Sequence, residues 1–121
     1  MQLNHLNLCV NNLSEARIFF QNYFDFQFLE QKGEALVVMT DEHGFTLVLS
    51  DPTTFGKEMQ PYPEGFHIGF LLETIDQVDQ VYHRLAATHG VVANAPRKMR
   101  GSYSFYFTAL NALLFEISSP L

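Results

Sequence analysis

Tryptophan is absent, cysteine occurs once, and only seven basic residues stand against thirteen acidic ones in 121 positions. Each shortage excludes something. A single cysteine, Cys9, rules out an internal disulfide and fits a reducing compartment; a small buried thiol is the expectation for it. A net charge of -6 argues against nucleic acid or an anionic membrane as the main partner. The local exception is residues 97–100, Arg-Lys-Met-Arg, which are expected to form a basic loop. No apolar run approaches the roughly 20 residues that span a bilayer. The chain also starts directly in a strand pattern, without a basic segment leading into a long apolar one, so no signal peptide is expected. A cytoplasmic protein with no membrane segment is the expectation.

What is present is apolar and aromatic: 47% hydrophobic residues, with 12 Phe and 5 Tyr. That is enough to build one core, and 121 residues suit a single domain. The pattern of that domain is a repeat. An offset of 62 positions lays His5-Leu6-Asn7-Leu8-Cys9-Val10 onto His67-Ile68-Gly69-Phe70-Leu71-Leu72, histidine on histidine and apolar residue on apolar residue. In both runs the alternation puts the histidine on one strand face and the apolar set on the other.

Each histidine strand precedes a helix signal. Asn12 with Glu15, and Thr74 with Gln77, fit capping boxes at the same offset. Leu13, Ala16, Phe19, Phe20 and Tyr23 correspond to Ile75, Val78, Val81, Tyr82 and Leu85, an apolar stripe at helical spacing. Gly90 is the expected C-terminal cap of the second helix. Strand-like runs follow at 26–30, 35–39 and 45–50 in the first half and at 91–93, 103–107 and 113–118 in the second. The organisation is thus two β-α-β-β-β modules, 1–50 and 65–121, joined by a linker at 51–64 that carries Pro52, Gly56, Pro61 and Pro63.

Parity in the last strand isolates one more residue. Glu116 lies inside the apolar run 113–117 but on the face opposite Leu113, Phe115 and Ile117. A carboxylate there is costly unless it is paired or bound to a cation. His43, His83 and His89 fall in a turn, on a helix and at a helix end, where a surface role is expected. Phe66, Phe70, Phe105, Phe107 and Phe115 are expected to pack in the core or behind the sheet.

Taken together, the strand-one histidine, the helix opening V-N-N-L-S-E-A-R-I-F-F, H-I-G-F in the second module, and S-F-Y-F before a final L-F-E-I-S resemble the vicinal oxygen chelate superfamily. That superfamily groups glyoxalase I, extradiol dioxygenases, fosfomycin-modifying enzymes and bleomycin resistance proteins. The resemblance covers essentially the whole chain. It implies an α+β fold in which two βαβββ modules form a cup-shaped, half-open β-barrel. It also implies His5, His67 and Glu116 as ligands of a divalent metal, with iron, manganese, zinc, nickel and cobalt all open.

Two departures bear on chemistry. The glutamate that serves glyoxalase I as fourth ligand and base corresponds here to Val48, so glyoxalase I activity itself is not expected. The strand-one threonine of the thiol-transferring fosfomycin branch is Asn7. The turn before the last strand, usually Asp-Pro-Asp-Gly, is Ala109-Leu110-Asn111-Ala112. The resemblance further places Ser104 and Tyr106 where the fosfomycin branch touches substrate, Asn7 in a substrate slot, and Tyr106 as the visible catalytic group. Arg100, in the basic run, could draw an anionic substrate.

The expectation is a metal-dependent lyase, transferase or dioxygenase acting on a small oxygen-chelating molecule by Lewis-acid catalysis. A metal-free module that sequesters a hydrophobic or aromatic compound, as bleomycin resistance proteins do, is the alternative. A homodimer is expected, because half-cups leave sheet edges to be covered.

Overall fold

A computed structural model describes residues 1–89 and 94–121, with side chains of all these residues except His89. The expected cap at Gly90, the strand at 91–93 and the surface role of His89 lie outside what is described. The chain divides into two compact units, Met1–Gln60 and Pro61–Leu121. The division falls inside the proline-rich stretch 51–64.

In the first unit, β1 (His5–Cys9) leads into α1 (Leu13–Phe24), followed by β2 (Gln27–Lys32), β3 (Leu36–Thr40) and β4 (Thr46–Ser50). Asn12 caps the helix as its spacing predicts: its side chain accepts from the Glu15 N–H at 3.0 Å. Asp25, in the left-handed region at φ 56°, ends it by donating its N–H to the Phe20 carbonyl. The sheet order is β1-β4-β3-β2, with β1 parallel to β4 and the other pairs antiparallel. Leu8, Val37, Met39, Leu47 and Leu49 point to one face and are buried with Leu13, Ala16, Phe19 and Phe20 of α1. Burial of a large apolar side chain contributes about 1.5–3 kcal/mol, so this layer carries most of the unit's stability. His5, Asn7, Cys9, Thr46, Val48 and Ser50 share the opposite, more open face.

The second unit repeats the order. β5 (His67–Leu71) precedes α2 (Ile75–His89), then come β6 (Arg97–Met99), β7 (Ser102–Ala109) and β8 (Leu113–Pro120), in the sheet order β5-β8-β7-β6. Here the capping box closes in both directions: Gln77 N–H donates to Thr74 Oγ1 at 3.2 Å, and Thr74 N–H donates to Gln77 Oε1 at 3.1 Å. Phe105, Phe107 and Phe115 stack on the buried face of the sheet, and Tyr82 of α2 meets Phe105 edge-on. This is the α+β, two-module pattern expected of the vicinal oxygen chelate fold. Among the described residues the two four-stranded sheets are not closed into a barrel.

Three local expectations are corrected. Residues 97–99 are not loop but strand β6, paired with Ser102, Tyr103 and Ser104. Arg100 and Gly101, both at positive φ (49° and 79°), make the two-residue turn into β7. Such turns suit the twist of antiparallel strands, and a basic composition hides them. Cys9 is exposed rather than buried, because parity puts it on the open face with His5. Phe66 is 39% exposed and stacks on Tyr62 with ring centroids 5.0 Å apart; it precedes β5 and so escapes the strand's alternation. No helix among the described residues is long and apolar enough to cross a membrane.

Candidate metal and substrate site

The two parallel strand pairs set the positions of the site residues. In the second unit Gly69 of β5 stands opposite Glu116 of β8, and Tyr106 of β7 stands opposite Glu116 on its other side. In the first unit the same register sets Asn7 opposite Val48. Val48 is therefore the structural counterpart of Glu116, as the residue spacing suggested. Where one unit presents a carboxylate, the other presents an apolar side chain.

His67 Nε2 lies 3.5 Å from Glu116 Oε2, and both side chains are partly open to solvent. The other ring nitrogen, Nδ1, is 2.9 Å from the Gly65 carbonyl oxygen. A carbonyl only accepts, so Nδ1 carries the hydrogen and a neutral ring leaves Nε2 as a lone pair facing the carboxylate. At 3.5 Å the pair is longer than a good N–H···O hydrogen bond, about 2.7–3.2 Å. Two electron-rich atoms that face one another across such a gap suit a shared cation: bonds of about 2.0–2.2 Å to one ion, meeting at an angle between square and somewhat wider than tetrahedral, place N and O roughly 3–3.5 Å apart. Gly69 lies beside this place: a Cβ there would meet Glu116 Oε2 at 3.9 Å, an ordinary contact. The donor set, one imidazole and one carboxylate, thus fits part of a divalent metal centre.

Tyr106 completes the cluster. Its ring packs edge-on against His67 with centroids 5.8 Å apart. Partial burial, then the Glu116 charge and a hydrogen bond to that carboxylate, push its phenol pKa above the ordinary value; Arg100 pulls weakly the other way. The phenol stays protonated at neutral pH and acts as a donor. Ser104 lies on the same sheet face but is buried, with its hydroxyl 2.9 Å from that of Ser102.

His5 and Asn7 belong to the first unit. His5 Nδ1 is 2.7 Å from Asn4 Oδ1, and Asn7 Oδ1 accepts from the Ser50 hydroxyl at 2.7 Å. Of the candidates named from sequence, the structure brings together His67, Glu116 and Tyr106. Among the described residues, no group of three or more His, Cys, Asp or Glu side chains is arranged to hold a metal ion. Sequence reasoning missed Gly65, whose role rests on a carbonyl direction, and the place of Gly69 opposite Glu116.

The family model of the Glyoxalase/Bleomycin resistance protein/Dioxygenase superfamily matches residues 2–117. The chain belongs to this superfamily. Among solved structures, a possible glyoxalase from Bacillus cereus is 33% identical with a TM-score of 0.83, covering 97% of each chain. The genomically encoded fosfomycin resistance protein FosX from Listeria monocytogenes is 24% identical, TM-score 0.78, over 100% of this chain and 94% of its own. Lactoylglutathione lyase from Agrobacterium tumefaciens is 20% identical, TM-score 0.76, over 98% and 92%. The last two likenesses are of fold. Comparison with curated proteins gives no match.

Proposed function

We propose that this glyoxalase-superfamily chain is a divalent-metal-dependent enzyme acting on a small, oxygen-chelating substrate, with His5, His67 and Glu116 as the ligands. The observation that carries the reading is His67 Nε2 facing Glu116 Oε2 at 3.5 Å. When bound, a divalent cation supplies Lewis acidity toward two adjacent substrate oxygens. The residues do the rest. Glu116 and His67 hold the ion, and Glu116 offsets its charge. The protonated Tyr106 hydroxyl donates a hydrogen bond to Glu116 or to a substrate oxygen on which negative charge develops. Asn7 and Arg100 orient the substrate, Arg100 by attracting an anionic group.

Val48 stands where Glu116 has its counterpart, so no carboxylate base is available from that slot. Addition to an activated electrophile or oxygen chemistry fits this better than the proton shuttling of glyoxalase I. The reading places the enzyme in the cytoplasm as a homodimer, and light scattering at micromolar concentration tests the assembly.

One observation favours a second reading. On the open face of the first unit, Leu36, Val38 and Val48 are half-buried and apolar, which suits a metal-free module that sequesters a hydrophobic or aromatic compound. Metal analysis of protein purified without chelator separates the two. The enzyme reading expects bound metal that is lost in His5→Ala and in Glu116→Ala; unchanged metal content in both variants removes its basis.

A further inference from the structure

The two histidines of the repeat are held by different devices to the same effect. Before β5, residues 63–66 form a turn closed by the Phe66 N–H donating to the Pro63 carbonyl at 3.1 Å. Its third residue, Gly65, has φ +86°, the sign that a type II turn requires there and that glycine alone adopts without strain. The turn delivers the Gly65 carbonyl to His67 Nδ1 at 2.9 Å. In the first unit the position equivalent to Gly65 is Leu3, and a different atom does the work: the Asn4 side-chain oxygen lies 2.7 Å from His5 Nδ1. One module uses a backbone carbonyl from two residues back, the other a side-chain amide from the preceding residue. Both occupy Nδ1.

We infer that Gly65 and Asn4 are positioning residues that fix the Nδ1–H tautomer of His67 and His5, so that each ring presents Nε2 as its ligand nitrogen. The inference rests on the metal reading for its purpose but not for its test. An acceptor on one ring nitrogen selects the tautomer, orients the ring and raises the basicity of the other nitrogen, which is how outer-shell oxygens tune metal-binding histidines. His43 provides the internal contrast: its Nε2, not Nδ1, faces an acceptor, Glu42 Oε1 at 3.3 Å.

The test is a long-range 1H–15N correlation spectrum of metal-free, 15N-labelled protein at a pH of about 9, where imidazoles are neutral. His5 and His67 should show the Nδ1–H pattern and His43 the Nε2–H pattern. Asn4→Ala should convert His5 alone and weaken zinc binding about 10–100-fold, while Asn4→Asp, which keeps an acceptor, should retain both properties. Gly65→Ala, strained at positive φ, should shift the His67 tautomer; if it does not fold, the Asn4 pair and the wild-type spectrum still decide. Nε2–H patterns at His5 and His67 in a protein that binds zinc overturn this inference and leave the metal reading standing. An Asn4→Ala variant that binds zinc as wild type does overturns the positioning role. The expected tautomers in a protein that takes up no zinc overturn the metal reading instead.

Discussion

Gly69 separates stability from function, and a graded series at this position tests the site. It lies inside β5 with ordinary strand backbone, directly opposite Glu116. Alanine there adds a Cβ 3.9 Å from Glu116 Oε2, an ordinary contact. It also removes glycine's excess freedom in the unfolded chain. Gly69→Ala should therefore stabilise the metal-free protein by about 0.5–1 kcal/mol. For a chain of this size that raises Tm by roughly 2–5 °C. Valine suits a strand at least as well, but its branches reach about 1.5 Å beyond Cβ, into the space beside the carboxylate. Gly69→Val should keep the stability gain and lose about 10–100-fold in zinc affinity by displacing Glu116. Thermal melts of metal-free protein and calorimetric zinc titrations read the two quantities separately. Zinc bound by Gly69→Val as tightly as by wild type would refute the reasoning, because Glu116 Oε2 would then not face a bound ion.

Other perturbations probe the scaffold. Ala112, at φ +66° between Asn111 and β8, sits in a left-handed conformation that costs a residue with a Cβ about 1–2 kcal/mol; Ala112→Gly should raise Tm in a thermal melt. Phe115 is fully buried and stacked on Phe107 at 5.0 Å, so Phe115→Ala should cost about 3–5 kcal/mol in a denaturant titration. The Tyr103 hydroxyl donates to Asp79 at 2.7 Å, tying β7 to α2, and this bond with the nearby charge raises the Tyr103 pKa above 10.0. A raised folded-state pKa gives stability that is fully present below the unfolded value and lost as pH rises through the folded one. The stability difference between wild type and Tyr103→Phe should therefore hold steady up to a pH of about 10 and shrink above it, as chemical denaturation across pH would show.

Much of the fold was legible because the signals were periodic. Both helix N-caps, the apolar stripe of each helix and the alternation through the histidine strands follow from spacing alone, and the repeat, once six extra residues are allowed in its second half, aligned Val48 with Glu116 before any strand register was known. Glu116 was legible because a carboxylate within an apolar strand demands a partner. What stayed hidden depends on backbone direction. A basic run reads as a solvated loop, so β6 at Arg97–Met99 and its turn at Arg100 and Gly101 were missed. Nothing in Leu110-Asn111-Ala112 announces three left-handed residues. The hydrogen on His67 Nδ1 rests on where the Gly65 carbonyl points, and the closeness of Gly69 to Glu116 on the strand register. Neither leaves a pattern in composition or period.

The most direct test of the central claim is an anomalous-difference map from crystals grown with zinc. The account predicts a peak at bonding distance, about 2.0–2.2 Å, from both His67 Nε2 and Glu116 Oε2. Zinc found only elsewhere on the protein, with that gap left empty, would contradict it.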